Sequence, residues 1–555
     1  LTGRKQQFHT VRTFGGISGF PKISESDYDT FGTGHASSSV SVALGFATAR
    51  DLKKEKFNVV AIIGDGSMTG GLAFEGLQNA GHLKKSMLII LNDNEMFISQ
   101  TVGAIAGYFA KLLTLGTIKN AQEKVIKFVS RFRGFGSPFT KFIRRVKVML
   151  FPGMLFEELG FRYIGPVNGH NIDNLIEILS NLKDLKGPTL LHLTTKKGKG
   201  FEPAESNPAK FHGIGKFDPQ TGKTEKKMEI TYTNIFADTL TRLAGFNDNI
   251  VAITAAMASG TGLDKFAREF PERFFDVGIA EEHAVCFAAG LALNGMQPVC
   301  AIYSTFLQRC LDNIICDVCL QGLPVIFAID RAGLVGEDGP THHGIFDISY
   351  LKFIPNLIFM APGDENELQH MLNTALTINK PCAIRYPRGT GPGVAMDMYQ
   401  SVYPIGKAKL ARKGKDLCFA AIGSLVHPCL EAAEILSKDG IEAMVLNMRF
   451  ISPLDEQALK DAFLESKNFI TAEENVLKGG FGESVKAVLA GTDAQVLSIG
   501  LPNDFIEQGD IKTLRNKYGL TAENIANAAK KMLGKERQIN NCKSLDLPGE
   551  KNNKK

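Results

Sequence analysis

Two polar clusters, each set just past an apolar run, carry the clearest chemistry in this sequence. Gly64-Asp65-Gly66 follows the run 59–63, and Asn92-Asp93-Asn94 follows the run 87–91. Asp65 offers a hard anionic oxygen and Asn94 a neutral amide oxygen. That donor set suits Mg²⁺, which takes one or two carboxylates and fills its other positions with carbonyl, water and phosphate oxygens. Gly64 and Gly66 let a backbone come close to a diphosphate, and a helix start just downstream turns free N–H groups toward an anion. Either cluster alone reads as a turn. Together, at the ends of neighbouring strands, they read as a metal-diphosphate site.

A second constellation lies downstream. Glu281, in Ile279-Ala280-Glu281-Glu282-His283, is expected at a strand end before a small-residue helix over 284–293. A carboxyl group against an apolar wall has a raised pKa and can share a proton with a ring nitrogen. Helix capping is the plainer use of the same residue. Tyr303 and Phe306 follow the next strand, where they could stack on a planar ring or simply fill the core. Arg309, Arg331 and Arg388 also converge on strand ends. Guanidinium forks suit phosphate or carboxylate, and salt-bridge scaffolding is the alternative. Asp338, His342 and His343 fall in Asp338-Gly339-Pro340-Thr341-His342-His343-Gly344.

The elements that must position these groups are short apolar runs alternating with helical patterns. Runs 59–63, 87–91, 190–193, 251–254, 299–302, 325–329, 357–360, 382–384, 417–422, 443–446, 469–472 and 496–499 predict buried strands, and 72–80 predicts a helix. Strands alternating with helices predict parallel sheets in three doubly wound α/β domains, whose ligands bind beyond the carboxyl ends of the strands. A charged stretch at 223–229 and a loop-like stretch at 392–403 place the domains at 1–228, 229–395 and 404–535. The Asn- and Lys-rich tail 536–555 reads as disordered.

Whole-chain properties narrow the class. The chain has 44% hydrophobic and 22% charged residues, as globular proteins do, and a net charge of +5 that gives no reason to expect a nucleic-acid partner. No apolar run approaches the ~18–20 residues of a membrane helix, and no signal peptide is recognisable. The nine cysteines form no framework, which predicts reduced thiols and a cytoplasmic protein. Cys316 and Cys319 form a C-x-x-C without a second pair, and read as two small residues on a helix. Residues 110–147 carry ten Lys or Arg against the single acid Glu123, and predict a mobile basic segment over an active site. The start, Leu1-Thr2-Gly3-Arg4, reads as the middle of a longer protein.

The pairing of Gly64-Asp65-Gly66 with Asn94 resembles the thiamine diphosphate motif. With Glu281, the runs 303–309 and 331–344, and Arg385-Tyr386-Pro387-Arg388-Gly389, the chain resembles the 1-deoxy-D-xylulose-5-phosphate synthase family, a branch of the transketolase-like thiamine enzymes. Phe31-Gly32-Thr33-Gly34-His35 and the runs 91–96, 156–169, 196–205 and 501–509 extend the match over residues 1–533. The resemblance implies a diphosphate-binding, a pyrimidine-binding and a C-terminal transketolase domain, in a homodimer. It implies that pyruvate loses CO₂ and its two-carbon unit joins glyceraldehyde 3-phosphate, for isoprenoid, thiamine and pyridoxal phosphate synthesis. Mg²⁺ would be held by Asp65, Asn94 and the carbonyl of Met96. Gly34, His35, Ala36, Gly66 and Ser67 would line thiamine diphosphate, with Phe201, Tyr303 and Phe306 beside it. Glu281 would protonate its aminopyrimidine ring. Arg309 and Arg331 would grip the aldehyde's phosphate, and His342, with Asp338 near it, would contact the reacting substrate.

Some positions depart from the family pattern. Ala36 and Phe201 stand where the family more often has Ser and Tyr, and Glu282 and His343 replace usual glutamines. The family also has a segment upstream of Leu-Thr-Gly-Arg with two site histidines. A transketolase, a 2-oxoacid dehydrogenase component and a non-catalytic remnant of the fold are the competing readings; the strings at 330–344 and 385–389 favour the synthase.

Overall fold

The computed structural model describes residues 2–94, 153–213, 215, 217–223 and 230–535. Met96, the basic segment 110–147 and the tail 536–555 lie outside the described residues.

Every apolar run predicted as a strand forms one. The first sheet holds β1 (Val60–Gly64), β2 (Met87–Asp93), β3 (Arg162–Asn168) and β4 (Pro188–Thr194), in the order β1-β2-β4-β3 and all parallel. The second holds β5 (Ile250–Thr254), β6 (Phe274–Asp276), β7 (Gln297–Tyr303), β8 (Ile326–Asp330), β9 (Ile358–Met360) and β10 (Cys382–Arg385). The third holds β11 (Lys409–Arg412), β12 (Leu417–Ala421), β13 (Ala443–Asn447), β15 (Asn468–Val476) and β16 (Gln495–Leu501). One short strand, β14 (Phe450–Ser452), leaves the third segment and pairs antiparallel with β9, giving the order β14-β9-β10-β8-β7-β5-β6.

The strands that the sequence pattern missed are edge strands. β3, β11 and β14 each end a sheet, and a strand covered on one side only needs no continuous apolar run. β6, another edge, stops at Asp276, earlier than the expected end near Ile279. Gly278 then turns the chain at φ +75°.

The second and third sheets share a core. Ile253, Phe327 and Phe359 of the second belong to one buried cluster with Phe469 and Leu446 of the third and Phe481 of the helix Phe481–Val488. Each such side chain contributes about 1.5–3 kcal/mol when fully buried, so this seam is a strong joint. β5 and β8 are buried along their whole length, whereas β1 leaves Val60 and Ile62 largely exposed. The helix Glu281–Leu293 lays Ala284, Val285, Ala288 and Ala292 on the second sheet. These small residues recur at three- and four-residue steps and let the helix axis come close.

Candidate active site

Asp65 and Asn94 emerge at the same end of adjacent parallel strands. β1 and β2 run in register with Gly64 opposite Asn92, and the Asp65 N–H donates to the Asn92 carbonyl at 3.3 Å. Asp65 is 5% exposed. Burial, and secondarily the charge of Asp93, pushes its carboxyl up to about 6. Two carboxylates crowded in a dry site are what a bound cation relieves. The donor set therefore fits Mg²⁺: one hard carboxylate, one amide oxygen past β2, and room for a diphosphate.

Behind this pair stands a buried relay. The Tyr163 hydroxyl donates to His192 Nδ1 at 2.7 Å, and His192 Nε2 donates to Asp93 Oδ2 at 2.9 Å. A carboxylate only accepts, which fixes the neutral tautomer of the ring. Thr195 ties the same strand end from the other side, with its hydroxyl on Asn92 Oδ1 at 2.8 Å and its N–H on the Asp93 carbonyl at 2.8 Å. The Asn92–Asn94 cluster is thus braced well beyond what a surface turn needs.

The loop 34–37 joins the two halves. His35 Nε2 meets Thr305 Oγ1 at 3.0 Å and the Thr341 carbonyl at 2.8 Å. A Cβ on Gly34 would collide with the Thr341 side chain, so only glycine permits this approach. Ser37 donates to the Ser67 carbonyl at 2.8 Å, and Thr69 accepts the Ile279 N–H at 3.2 Å. The turn carrying Asp65, Gly66 and Ser67 therefore abuts the strand end that delivers Glu281. A groove of about 600 Å³ lies on the first-segment side of this contact, between the 33–46 stretch and β1, and is lined by Thr33, His35, Ala36, Gly64 and Ser67 among others.

Glu281 is the first residue of its helix and is 3% exposed. Its Oε2 has no hydrogen-bond partner in the protein and lies 3.5 Å from an Arg309 nitrogen. Burial raises its pKa from the usual carboxylate value, against the pull of Arg309. A buried carboxyl oxygen that accepts no hydrogen bond is a group open to a ligand atom. It fits the ring nitrogen of a cofactor, and as an acid in the first helical turn it also complements the helix start.

Aromatic rings frame the space beyond Glu281. Tyr303 and Phe306 stack at 5.6 Å, Phe306 meets His35 edge-on at 5.0 Å and His342 at 5.6 Å, and Phe20 stacks on His342 at 4.7 Å. Burial pushes His342 down to about 4, so its ring is neutral near pH 7. Arg331 holds a left-handed backbone at φ +60° and lies over the Tyr303 ring at 4.0 Å, donating to the Gly260 carbonyl at 2.9 Å. A non-glycine residue held in that region at a strand end marks a position the site constrains. Asp338 pairs with Arg12 and, at 3.4 Å, with Arg388.

Residues 1–195 match the family described as 1-deoxy-D-xylulose-5-phosphate synthase, residues 228–393 the transketolase pyrimidine-binding domain, and residues 406–525 the transketolase C-terminal domain. The chain is 52% identical to 1-deoxy-D-xylulose-5-phosphate synthase of Desulforudis audaxviator over 95% of this chain and 84% of that protein. It is 52% identical to that of Pelotomaculum thermopropionicum over 99% and 87% of the two chains, and 53% identical to synthase 1 of Geobacter sulfurreducens over 96% and 85%. The chain belongs to the 1-deoxy-D-xylulose-5-phosphate synthase family. Among solved structures, a split-gene transketolase described as an inactive β4 tetramer is 30% identical with a TM-score of 0.51, over 56% of this chain and all of that one. The transketolase-like fold follows, as does a thiamine diphosphate-dependent transferase with a divalent cation. The transketolase, 2-oxoacid dehydrogenase and non-catalytic readings give way.

Within this family frame, several residues have protein partners. Arg309 has one nitrogen 3.5 Å from Glu281 while another donates to the Ala36 carbonyl. Arg331 and Arg388 lie near Tyr303, whose hydroxyl senses both guanidinium charges, and Arg388 also donates to the Val335 carbonyl at 2.8 Å. Arg385 is scaffolding, buried on Asp347 at 3.0 Å. Of the departures from the family pattern, Glu282 is exposed and only adds to the charge around Glu281, whereas His343 is buried. Cys316 is exposed and Cys319 buried on one helical segment.

Sequence reasoning also missed Lys197 and His212, joined at 2.6 Å. The Lys197 ammonium donates to His212 Nδ1. Burial lowers its pKa while the charge of Asp65 works the other way, which places Lys197 near Asp65. Burial, then the lysine's charge, lowers that of His212. Phe201 packs nearby against Phe211 and Phe217 at 5.6 and 5.8 Å. The run 196–205 was visible as a matching piece, but only folding brings residue 212 back to it.

Proposed function

We propose that this chain converts pyruvate and D-glyceraldehyde 3-phosphate to 1-deoxy-D-xylulose 5-phosphate and CO₂ through the residues described above. The observation that carries the assignment of roles is the buried Glu281 oxygen that accepts no hydrogen bond, on a strand end that the turn after Asp65 touches through Thr69 and Ile279.

Asp65 and Asn94, with the Met96 carbonyl, hold Mg²⁺. Gly34, His35, Ala36, Gly66, Ser67 and Phe201 line thiamine diphosphate on the same side, and Tyr303 and Phe306 pack beside its ring. When bound, the cofactor supplies a carbon that stores the electron pair left by decarboxylation. Glu281 holds a proton at Oε2 for the cofactor's ring nitrogen, and its dry setting favours that protonated form. Arg309 keeps this acid from becoming too weak, and its second contact, to Ala36, locks the loop 34–37 against it. His342, neutral and hydrogen-bonded to Thr341 Oγ1 at 2.9 Å, orients the reacting carbonyl beside Asp338. Arg331 and Arg388 receive the aldehyde's phosphate.

The finer parts of the reading belong here as well: domain limits at 1–228, 229–395 and 404–535, a homodimer, a cytoplasmic protein, and no nucleic-acid or membrane partner. No helix among the described residues is long and apolar enough to cross a membrane, which supports the last point. Size-exclusion chromatography with light scattering tests the dimer. A monomer at working concentration would remove it.

A further inference from the structure

The stretch that carries Asp338 and His342 closes on itself. Gly333 N–H donates to the Gly344 carbonyl at 2.7 Å, and Gly344 N–H returns the bond to Gly333 at 2.8 Å. Inside the loop, the N–H groups of His342 and His343 both reach the Gly339 carbonyl, at 2.9 and 3.1 Å. Gly333 and Gly339 hold positive φ, where a Cβ would press on Glu474 and Gln508 respectively. Glycine permits this path but does not hold it, because it leaves the backbone more freedom than any other residue. Something else must fix the loop.

Adjacent histidines divide the work. The His342 ring stacks on Phe20 at the site. The His343 ring is buried, at 1% exposure, between the loop and the third segment. Its Nδ1 accepts the Val335 N–H at 3.0 Å, so Nε2 carries the proton and donates to the Glu507 carbonyl at 3.1 Å. The neighbouring backbone bond, Gly509 N–H to the Gly336 carbonyl, is longer at 3.3 Å. The His343 ring is thus the side chain that links the inside of the loop to the 507–509 wall.

We infer that His343 is a positioning residue for the reaction, pinning the loop 333–344 between the Val335 N–H and the Glu507 carbonyl so that Asp338 and His342 meet the phosphorylated aldehyde in register. This rests on the substrate reading given under Proposed function. Burial keeps the ring neutral, against the raising effect of the Glu507 carbonyl it donates to and of the nearby charges of Glu474, Glu507 and Asp338. Losing the ring's two polar atoms would leave a buried donor and a buried acceptor unpaired, and the loop would shift to find water for them. A shift near 1 Å at a positioning group is enough to cost about a hundredfold. The metal end is tied through β1 and β2 and would not follow.

Three variants of the full chain decide the matter. His343→Leu fills the space and offers neither polar atom. His343→Gln offers an acceptor and a donor in one plane. His343→Asn keeps the acceptor near Val335 but is too short for Glu507. The readouts are KM for each substrate, the Kd for thiamine diphosphate with Mg²⁺ by calorimetry, and amide exchange of the peptide spanning 333–342 by mass spectrometry. His343→Leu is expected to raise the KM for glyceraldehyde 3-phosphate by about tenfold or more while changing the cofactor Kd less than about twofold. The Val335 amide exchanges faster, and His343→Gln restores the KM and the exchange. An unchanged KM, a parallel rise of KM and cofactor Kd, or a glutamine variant no better than leucine would overturn the inference. If the leucine variant does not fold, the asparagine variant takes its place with the same KM and cofactor outcomes, while its Val335 amide is expected to exchange as in the parent. If the parent forms no product, the substrate reading fails on its own, and exchange at Val335 that ignores the leucine change still refutes the bridge.

Discussion

At the metal end of the site, Asp65 and Asn94 leave neighbouring strands of one sheet and are braced by that sheet's own residues: Asn92, Thr195, His192 and Tyr163. At the other end, Glu281, Arg309, Arg331 and His342 follow separate stretches of the second domain. They are braced from outside it, by Ala36 and His35 of the first segment and by Glu507 of the third. The metal end is self-contained, whereas the catalytic end exists only when three segments dock. A fault at the first should therefore be local and complete. A fault at the second should be graded and depend on which neighbour is removed.

The sharpest way to break this contrast is Asp65→Ala. With its one hard carboxylate gone, Mg²⁺-dependent thiamine diphosphate binding should weaken by at least about a hundredfold, read by calorimetry. Unchanged affinity would move the metal elsewhere. Next in size is Glu281→Gln, which should leave that affinity nearly intact and lower kcat by about 10²–10⁴-fold, because an amide cannot cycle a proton. Equal losses in binding and turnover would place Glu281 in the binding site instead.

The two arginines separate the roles within the catalytic end. Arg331→Ala should raise the KM for glyceraldehyde 3-phosphate by about ten- to a hundredfold and leave that for pyruvate nearly unmoved. Arg309→Met should act on pH instead. Burial already raises the Glu281 pKa and Arg309 opposes it, so deleting the cation raises it further. The limb of the kcat profile governed by Glu281 should move to higher pH. A shift to lower pH, or a selective rise in the aldehyde's KM, would return Arg309 to the phosphate. The smallest effect belongs to His192→Phe, which keeps the ring but loses the hold on Asp93. Cofactor binding with Mg²⁺ should weaken by about tenfold, as outer-shell changes do, with no change in either substrate's KM.

How much could be read in the sequence follows the same division. Asp65 and Asn94 were legible because each directly follows an apolar strand run, and strand ends in a parallel sheet are where ligands bind. The place of Glu281 was read less closely: β6 stops at Asp276, and Glu281 opens its helix after the turn at Gly278 rather than ending the strand. The buried strands were legible because two-sided cover demands a continuous apolar run. Edge strands β3, β11 and β14 lack that demand and stayed hidden. The partners of Arg309 were not legible, since no local pattern says that the carbonyl of residue 36 will lie beside residue 309. Lys197 and His212 were missed likewise, and so was His343's reach to residue 507. Met96 lies outside the described residues, so its place at the metal remains part of the proposal.

The central claim is that one chain joins a self-contained metal site to an acid assembled from three segments, in order to make 1-deoxy-D-xylulose 5-phosphate. The most direct test follows that product by mass spectrometry from pyruvate and glyceraldehyde 3-phosphate, with thiamine diphosphate and Mg²⁺, in the parent chain and in its Asp65→Ala and Glu281→Gln variants. The account predicts product with the parent only, and loss of it when either end is broken. Product undiminished in the Glu281→Gln variant would contradict it, as would a parent chain that uses a ketose phosphate donor in place of pyruvate.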